Sequence, residues 1–131
     1  MPDSKKHSIA VDIEEIKEIM DNDMELIQDC FADFLSDWPE LLGEIQDAIA
    51  QKNPEQMNES AHKLKGTLKY LAAEPAANAA MAIESAGRNH DLDNLDEKLL
   101  NLKNECQKVI DFIKSFTPWT NDAREYNNLG I

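Results

Sequence analysis

The sequence predicts an all-α protein folded as an antiparallel, up-down four-helix bundle with a short extra N-terminal helix. No stretch of its 131 residues shows the sustained apolar-polar alternation of a half-buried strand, and the helix formers Ala, Leu, Glu and Lys dominate. Apolar residues instead recur at spacings of three and four between short polar turns. Amphipathic helices joined in this way bury their apolar stripes by packing antiparallel around a shared core.

The first two helices have recognisable start signals. Asp12 is the predicted N-cap of a short helix with an acidic first turn, which ends near Asp21. Asp23 opens the second helix, and Phe31 lies on its apolar stripe. At Pro39 either a new helix begins or the same helix bends, and the sequence leaves both possibilities open.

Three further helices follow. The third begins at Asn53 and closes before Pro75, and its stripe has the alternating spacing of a coiled-coil seam. The stripe consists of Met57, Ala61, Leu64, Leu68 and Leu71. The fourth helix is rich in small residues, and we predict a polar turn from Gly87 to Asn94 after it. The fifth starts at about Leu95 and is stopped by Pro118. We therefore expect an N-terminal extension at residues 1–11, a bundle at 12–117 and a tail at 118–131.

The charge and composition of the chain exclude some classes of binding partner. The chain carries 26 acidic and 13 basic residues, a net charge of −13, so nucleic acid and anionic membranes would repel it. Neither a signal peptide nor 18 uninterrupted apolar residues is present, and we expect a cytoplasmic protein with protein partners. Cys30 and Cys106 lie in separate helical stripes, which predicts buried free thiols and no metal site.

The third helix carries the candidate site. With its apolar stripe turned inward, His62 points about 140° away from the core. Asn58, Lys65, Gly66 and Lys69 lie on the same outer face. The segment from Asn58 to Lys69 has a net charge of +2, whereas the other 119 residues carry −15. A nucleophile with nearby cations and a missing side chain beside it suits the handling of a phosphoryl group on an accessible surface.

These residues form a motif that resembles the histidine phosphotransfer (HPt) domains of multistep two-component signalling. The resemblance rests on Ala61-His62-Lys63-Leu64-Lys65-Gly66-Thr67, on Leu71-Ala72-Ala73 and on Ile83-Glu84-Ser85-Ala86-Gly87-Arg88. It implies that His62 accepts a phosphoryl group from a receiver-domain aspartate and relays it to another receiver. It also implies that Lys65 helps to neutralise phosphoryl charge and that Gly66 clears space for docking. Ala72-Ala73 departs from the more usual Gly-Ala of the family.

The resemblance assigns further residues and partners. Glu84 falls where many members carry a polar side chain that orients the imidazole, and Arg88 matches a basic position near the phosphorylation site. With Asn58 and Lys69, these residues are expected to support the site or to dock the partner. The expected partners are receiver domains of response regulators and hybrid histidine kinases, and the chain is expected to be monomeric. No cofactor is expected, because Mg²⁺ would arrive with the receiver.

The expected module is not an enzyme, since no Gly-rich phosphate loop is present and the bundle leaves no room for a nucleotide-binding domain. Two other interpretations of the same residues remain. Glu59 and His62 have the Glu-x-x-His spacing of di-metal carboxylate bundles, but such sites need two motifs that point into the core. Only one motif exists here, and both its residues face outward. Alternatively, the same face binds receivers or other signalling proteins as an adaptor that is never phosphorylated.

Overall fold

The computed structural model describes residues 9–116, and this part of the chain contains five α-helices and no strand. The helices are α1 (Ile13–Ile19), α2 (Met24–Ala50), α3 (Pro54–Tyr70), α4 (Glu74–Arg88) and α5 (Leu95–Phe116). The predicted all-α bundle with a short extra N-terminal helix is confirmed. The predictions for residues 1–8, for Pro118 and for the tail at 118–131 lie outside the described residues. Among residues 9–116, none of the helices is long and apolar enough to span a membrane.

Side-chain caps start the first three helices where the sequence predicts them. The side chains of Asp12, Asp23 and Asn53 each accept a hydrogen bond from the backbone N–H three residues later, at 3.2, 3.0 and 3.2 Å. Each bond satisfies one of the amide groups that the first helical turn leaves unpaired. The backbone N–H of Asp12 also donates to the carbonyl oxygen of Ala72 at 2.9 Å, which attaches α1 to the turn between α3 and α4.

Pro39 lies inside one continuous helix, so the open question about this position is resolved in favour of an extension of α2. Proline removes one backbone donor from a helix and leaves a carbonyl group without its partner. Pro39 is itself exposed, and the residues from Leu35 to Glu44 are at most half-buried. Water can therefore reach the helix at this point and solvate the backbone group that proline leaves unpaired.

The predicted helix end at Gly87 is wrong, because α4 continues through Gly87 to Arg88. A Cβ atom at Gly87 would lie 2.5 Å from the carbonyl oxygen of Pro54 and 2.6 Å from the backbone nitrogen of Asn58. Both are backbone atoms of α3, which cannot move aside as a flexible side chain can. Glycine at this position therefore allows α4 to approach the beginning of α3 closely.

Several residues at the ends of helices and in the turns between them have a left-handed backbone conformation, although they are not glycine. The described non-glycine residues with positive φ are Asp21, Asn22, Lys52, Ala72, His90 and Asn94. Ala72, which stands where the resemblance leads one to expect glycine, has a φ of 56°. An L-residue pays about 1–2 kcal/mol for this conformation. The buried methyl group of Ala72 and the bond from Asp12 to its carbonyl offset part of this strain.

The core lies between α2, α3, α4 and α5, and the most extensive helix contact is that between α3 and α4. Small buried residues on α4 permit this close packing; they are Ala76, Ala77, Ala79, Ala80 and Ala86. Phe31 of α2 packs edge-on against Phe112 and Phe116 of α5.

The two free thiols differ in burial. Cys106 is buried as predicted, and its burial raises its pKa to about 12. The prediction of a buried thiol is wrong for Cys30, which is only half-buried.

We expect Gly87→Ala to lower the free energy of unfolding by about 1–3 kcal/mol, because the added methyl group overlaps the backbone of α3. Gly43→Ala is the matched control, since a Cβ atom at Gly43 meets nothing within 4 Å. Alanine favours a helix interior by up to about 1 kcal/mol over glycine, so this control keeps or gains stability. Urea denaturation followed by circular dichroism measures both variants, and equal effects would contradict the close approach of α4.

Candidate functional site

His62 lies on the outer face of α3, in the middle of the helix. Its side chain is 68% exposed, whereas Ala61 and Leu64 on the opposite face are fully buried. The orientation follows from the apolar stripe of α3, which fixes which side of the helix faces the core. The ring therefore stands on the protein surface, as the helical projection predicts.

Glu84 of α4 contacts this exposed ring from beneath. Its Oε2 atom lies 2.6 Å from Nδ1 of His62, although the side chain of Glu84 is only 3% exposed. With its proton on Nδ1, the imidazole donates to the carboxylate and keeps a lone pair on Nε2. The carboxylate thus holds the ring in one orientation and leaves Nε2 on the side of the ring away from it.

Two cations share the same carboxylate. The Nζ atom of Lys65 lies 2.7 Å from Oε1 of Glu84, and Nη2 of Arg88 lies 3.5 Å from Oε2. Oε1 has no donor at hydrogen-bonding angles within the described part of the chain, so Lys65 contacts it as an ion pair. The Lys65 side chain is 17% exposed and that of Arg88 is 62% exposed. Lys65 is therefore committed to the buried carboxylate, while Arg88 extends into solvent.

These contacts keep Glu84 ionised. Burial alone would raise the pKa of the Glu84 carboxyl, but the interactions with Lys65 and His62 outweigh it and lower the pKa below its ordinary value. A buried carboxylate without such partners would be unstable in its charged form. Glu84 therefore presents a full negative charge to Nδ1 of His62.

The remaining predicted site residues have different positions. The side-chain amide of Asn58 donates to the backbone oxygen of Glu84 at 2.9 Å, so Asn58 joins α3 to α4 and is only half-exposed. Gly66 is exposed, and a Cβ atom there would meet nothing within 4 Å. Packing within the described chain therefore gives no reason for glycine at this position. Lys69 lines a separate groove with Ala73 and Met81, near the turn between α3 and α4.

A groove runs beside His62 towards the start of α3 and the end of α4. Its lining consists of Glu55, Asn58, Glu59, His62, Gly87, Arg88 and His90. Sequence reasoning missed the contributions of Gly87 and His90 to this surface. The small residues of α4 were the available signal for Gly87, and no sequence signal was available for His90. Within residues 9–116, no three His, Cys, Asp or Glu side chains are grouped to hold a metal ion.

The fold and the site together define a helical bundle that presents one anchored imidazole to solvent. A model of the Hpt domain family matches residues 29–112. The chain belongs to the Hpt domain family, whose members are histidine phosphotransfer modules of phosphorelays that interact with receiver domains and are not kinases.

A solved structure supports the same fold. The chain is similar to the HPt domain of an Hpt sensor hybrid histidine kinase from Shewanella, with a TM-score of 0.72 and 23% sequence identity. The similarity covers 82% of this chain and 93% of that domain. No curated protein matches the sequence significantly.

We expect Glu84→Gln to remove part of the acid dependence of stability. The pKa of Glu84 in the folded protein lies below its ordinary value of 4.5, so the ionised carboxylate stabilises the fold above that pH. As the pH falls below 4.5 and through the folded-state pKa, the unfolded chain gains its proton first and this contribution is lost. The difference in free energy of unfolding between wild type and Glu84→Gln therefore shrinks over this range.

Urea denaturation at a series of pH values measures this difference. Glu59→Gln controls for the change in net charge, because it removes an exposed carboxylate from α3. A difference for Glu84→Gln that stays constant as the solution is acidified would contradict the ionised, paired state of Glu84.

Proposed function

We propose that His62 accepts a phosphoryl group from the aspartyl phosphate of one receiver domain and passes it to the aspartate of another. The observation that carries this proposal is the contact between Nδ1 of His62 and the buried Glu84 carboxylate, on a ring that is 68% exposed. An anchored Nδ1 leaves the lone pair of Nε2 directed away from the carboxylate. A surface position gives a partner protein access to that atom.

In the proposed step, the Nε2 lone pair of His62 forms a bond to phosphorus. The bond between phosphorus and the receiver's aspartate oxygen breaks, and its electron pair stays on the carboxylate that leaves. The proton on Nδ1 remains there, hydrogen-bonded to Glu84. Positioning and charge neutralisation supply most of the catalysis in phosphoryl transfer, and the receiver brings the Mg²⁺ that this chain is not expected to hold.

The two cations have different parts in this proposal. Lys65 is assigned to neutralise phosphoryl charge. It lies one helical turn after His62 on α3, and its ion pair holds its ammonium group at the Glu84 carboxylate. Arg88 is more exposed and reaches Glu84 only at 3.5 Å, so its guanidinium is freer to turn towards a phosphoryl group on Nε2. We therefore assign charge neutralisation to both residues, with Arg88 the more mobile of the two.

The surface around His62 is the proposed docking face for the receiver. Gly66 leaves the space next to the imidazole free of a side chain, and Lys69 adds positive charge two turns from His62. Asn58 supports the face from within by holding α4 against α3. The proposed partners are receiver domains of response regulators and hybrid histidine kinases, with the chain acting as a monomer in the cytoplasm.

His62→Gln is expected to abolish acceptance of phosphate from a receiver. The assay mixes the purified chain with a receiver carrying a radiolabelled aspartyl phosphate and follows the transfer of label. Wild type should acquire label that is labile in acid and stable in base, as expected for phosphohistidine. The control for the acceptor is His90→Gln, which removes the other described histidine and leaves the contact between His62 and Glu84 intact. It should still acquire label, and because His90 lines the adjoining groove, its rate of labelling also reports any part of that groove in docking.

Binding measurements separate this relay from an adaptor. If His62→Gln and wild type bind receivers equally and neither acquires label across a broad receiver panel, the adaptor interpretation replaces the relay. Label that persists in His62→Gln would instead assign the acceptor to another residue.

Gly66→Ala is expected to raise the stability of the fold and yet slow phosphoryl transfer from a receiver. The methyl group meets nothing within the described chain, and alanine favours the helix by up to about 1 kcal/mol, so the free energy of unfolding should rise. Transfer from a receiver should nevertheless slow by about tenfold or more, because small displacements of a docked partner strongly affect transfer rates. Chemical labelling by phosphoramidate, a small donor that needs no docking, should be unchanged. Equal receiver kinetics in both proteins would contradict a docking role for Gly66.

A further inference from the structure

We propose that the negative charge of Glu84 sets the lifetime and reactivity of the phosphohistidine on His62 by holding a proton on Nδ1 after Nε2 is phosphorylated. This inference rests on the proposed function of His62 and goes beyond the orientation of the ring. It makes Glu84 a positioning residue whose charge, in addition to its shape, determines how readily the phosphoryl group leaves.

The chemistry of the ring explains the effect. When Nε2 forms its bond to phosphorus and Nδ1 keeps its proton, the imidazole ring carries a positive charge. When the phosphoryl group leaves, an oxygen of the receiver's aspartate or of water forms a bond to phosphorus and the bond between Nε2 and phosphorus breaks. The electron pair of the broken bond returns to Nε2, and a neutral imidazole leaves. A ring that has lost the Nδ1 proton would have to leave as an anion, which is a far poorer leaving group. Retention of the proton therefore keeps the phosphoryl group ready for transfer and exposes it to hydrolysis.

The geometry favours retention of the proton. Oε2 of Glu84 lies 2.6 Å from Nδ1, and the Glu84 side chain is only 3% exposed, so bulk water screens this contact less than it would on the open surface. Lys65 and Arg88 touch the same carboxylate, and they oppose its effect while keeping it ionised. Because Glu84 alone among these three contacts Nδ1, its charge acts at the shortest distance.

The other charged and titratable groups around His62 in residues 9–116 form no hydrogen bond or ion pair with its ring. Lys63 on the same helix pairs with Glu44 of α2 at 3.7 Å. Glu55, Glu59 and His90 line the adjoining groove and make no hydrogen bond or ion pair with His62 in the described structure. Their effect on Nδ1 is therefore expected to be weaker than that of Glu84.

Glutamine offers a direct comparison with Glu84, because its side chain has nearly the same shape and no charge. Its oxygen can accept a hydrogen bond from a protonated Nδ1, and its NH₂ group can donate to a deprotonated Nδ1. Glu84→Gln therefore preserves a means of holding the ring while it removes the preference for the protonated form.

The experiment labels the chain chemically with phosphoramidate and then follows the decay of phosphohistidine in buffer across about pH 5 to 9. In both proteins the rate of phosphohistidine decay should decrease as the pH rises and Nδ1 loses its proton. We expect this decrease in Glu84→Gln at a pH about one to two units lower than in wild type, since an adjacent opposite charge shifts proton binding by about this much. Between the two midpoints, the variant should keep its phosphoryl group about tenfold longer. Glu59→Gln removes a charge that makes no contact with Nδ1, and its profile should follow wild type.

A second measurement uses wild type alone and does not depend on the folding of any variant. The ¹⁵N chemical shifts of the phosphorylated His62 ring report directly whether Nδ1 is protonated. Protonation that persists at pH 7.5 supports the proposal. A deprotonated Nδ1 at that pH, or identical decay profiles for wild type and Glu84→Gln, overturns it.

Failure of the relay itself would give a different result. Phosphoramidate is a small donor that can reach an exposed histidine such as His62 without a receiver, so these decay profiles do not require receiver transfer. Absence of label from every receiver would reject the relay and leave the chemical role of Glu84 measurable. Normal receiver transfer with unchanged decay in Glu84→Gln would reject only the inference about charge.

Discussion

A buried negative charge is the constraint on which the site depends. An ionised carboxylate removed from water is costly unless other groups supply opposite charge and hydrogen bonds. Glu84 is almost fully buried, and it meets this requirement through His62, Lys65 and Arg88. Because all three nitrogen-bearing side chains satisfy the same carboxylate, they converge on one point of the surface. The exposed imidazole is thus held by a group in the interior, which gives a surface side chain a defined orientation.

That contact requires α4 to lie very close to α3. Gly87 and Glu84 are three residues apart and lie on the same side of α4, as Asn58 and His62 are four apart on α3. At one turn of the interface between α3 and α4, Gly87 packs against the backbone at Asn58, and at the next turn Glu84 contacts His62. The hydrogen bond from the side chain of Asn58 to the backbone oxygen of Glu84 connects these two turns. A larger residue at Gly87 would separate the helices at the place where a 2.6 Å contact must form.

Local signals explain which features could be predicted from the sequence. The caps at Asp12, Asp23 and Asn53 are short-range features, and the apolar stripe of α3 determines the exposure of His62. The sequence alone is ambiguous at Gly87, because glycine can mark either a helix end or a close helix contact, and only the position of α3 distinguishes the two. Only the family resemblance connected Glu84 with His62, because no pattern within one helix shows which side chain of a neighbouring helix a charged residue will contact. That choice depends on how the two helices are placed in three dimensions.

The distribution of charge around His62 links anchoring to phosphoryl transfer. In the unphosphorylated chain, the positive charges of Lys65 and Arg88 are directed to Glu84. A phosphoryl group on Nε2 would add negative charge on the other side of the ring, so the same cations would then serve two anions. Lys65 is tightly paired and largely covered, while Arg88 is longer, more exposed and more loosely held. The proposed response is therefore asymmetric: Arg88 turns towards the incoming phosphoryl group, while Lys65 stays on the carboxylate it keeps ionised and shares its charge with the phosphoryl group from there.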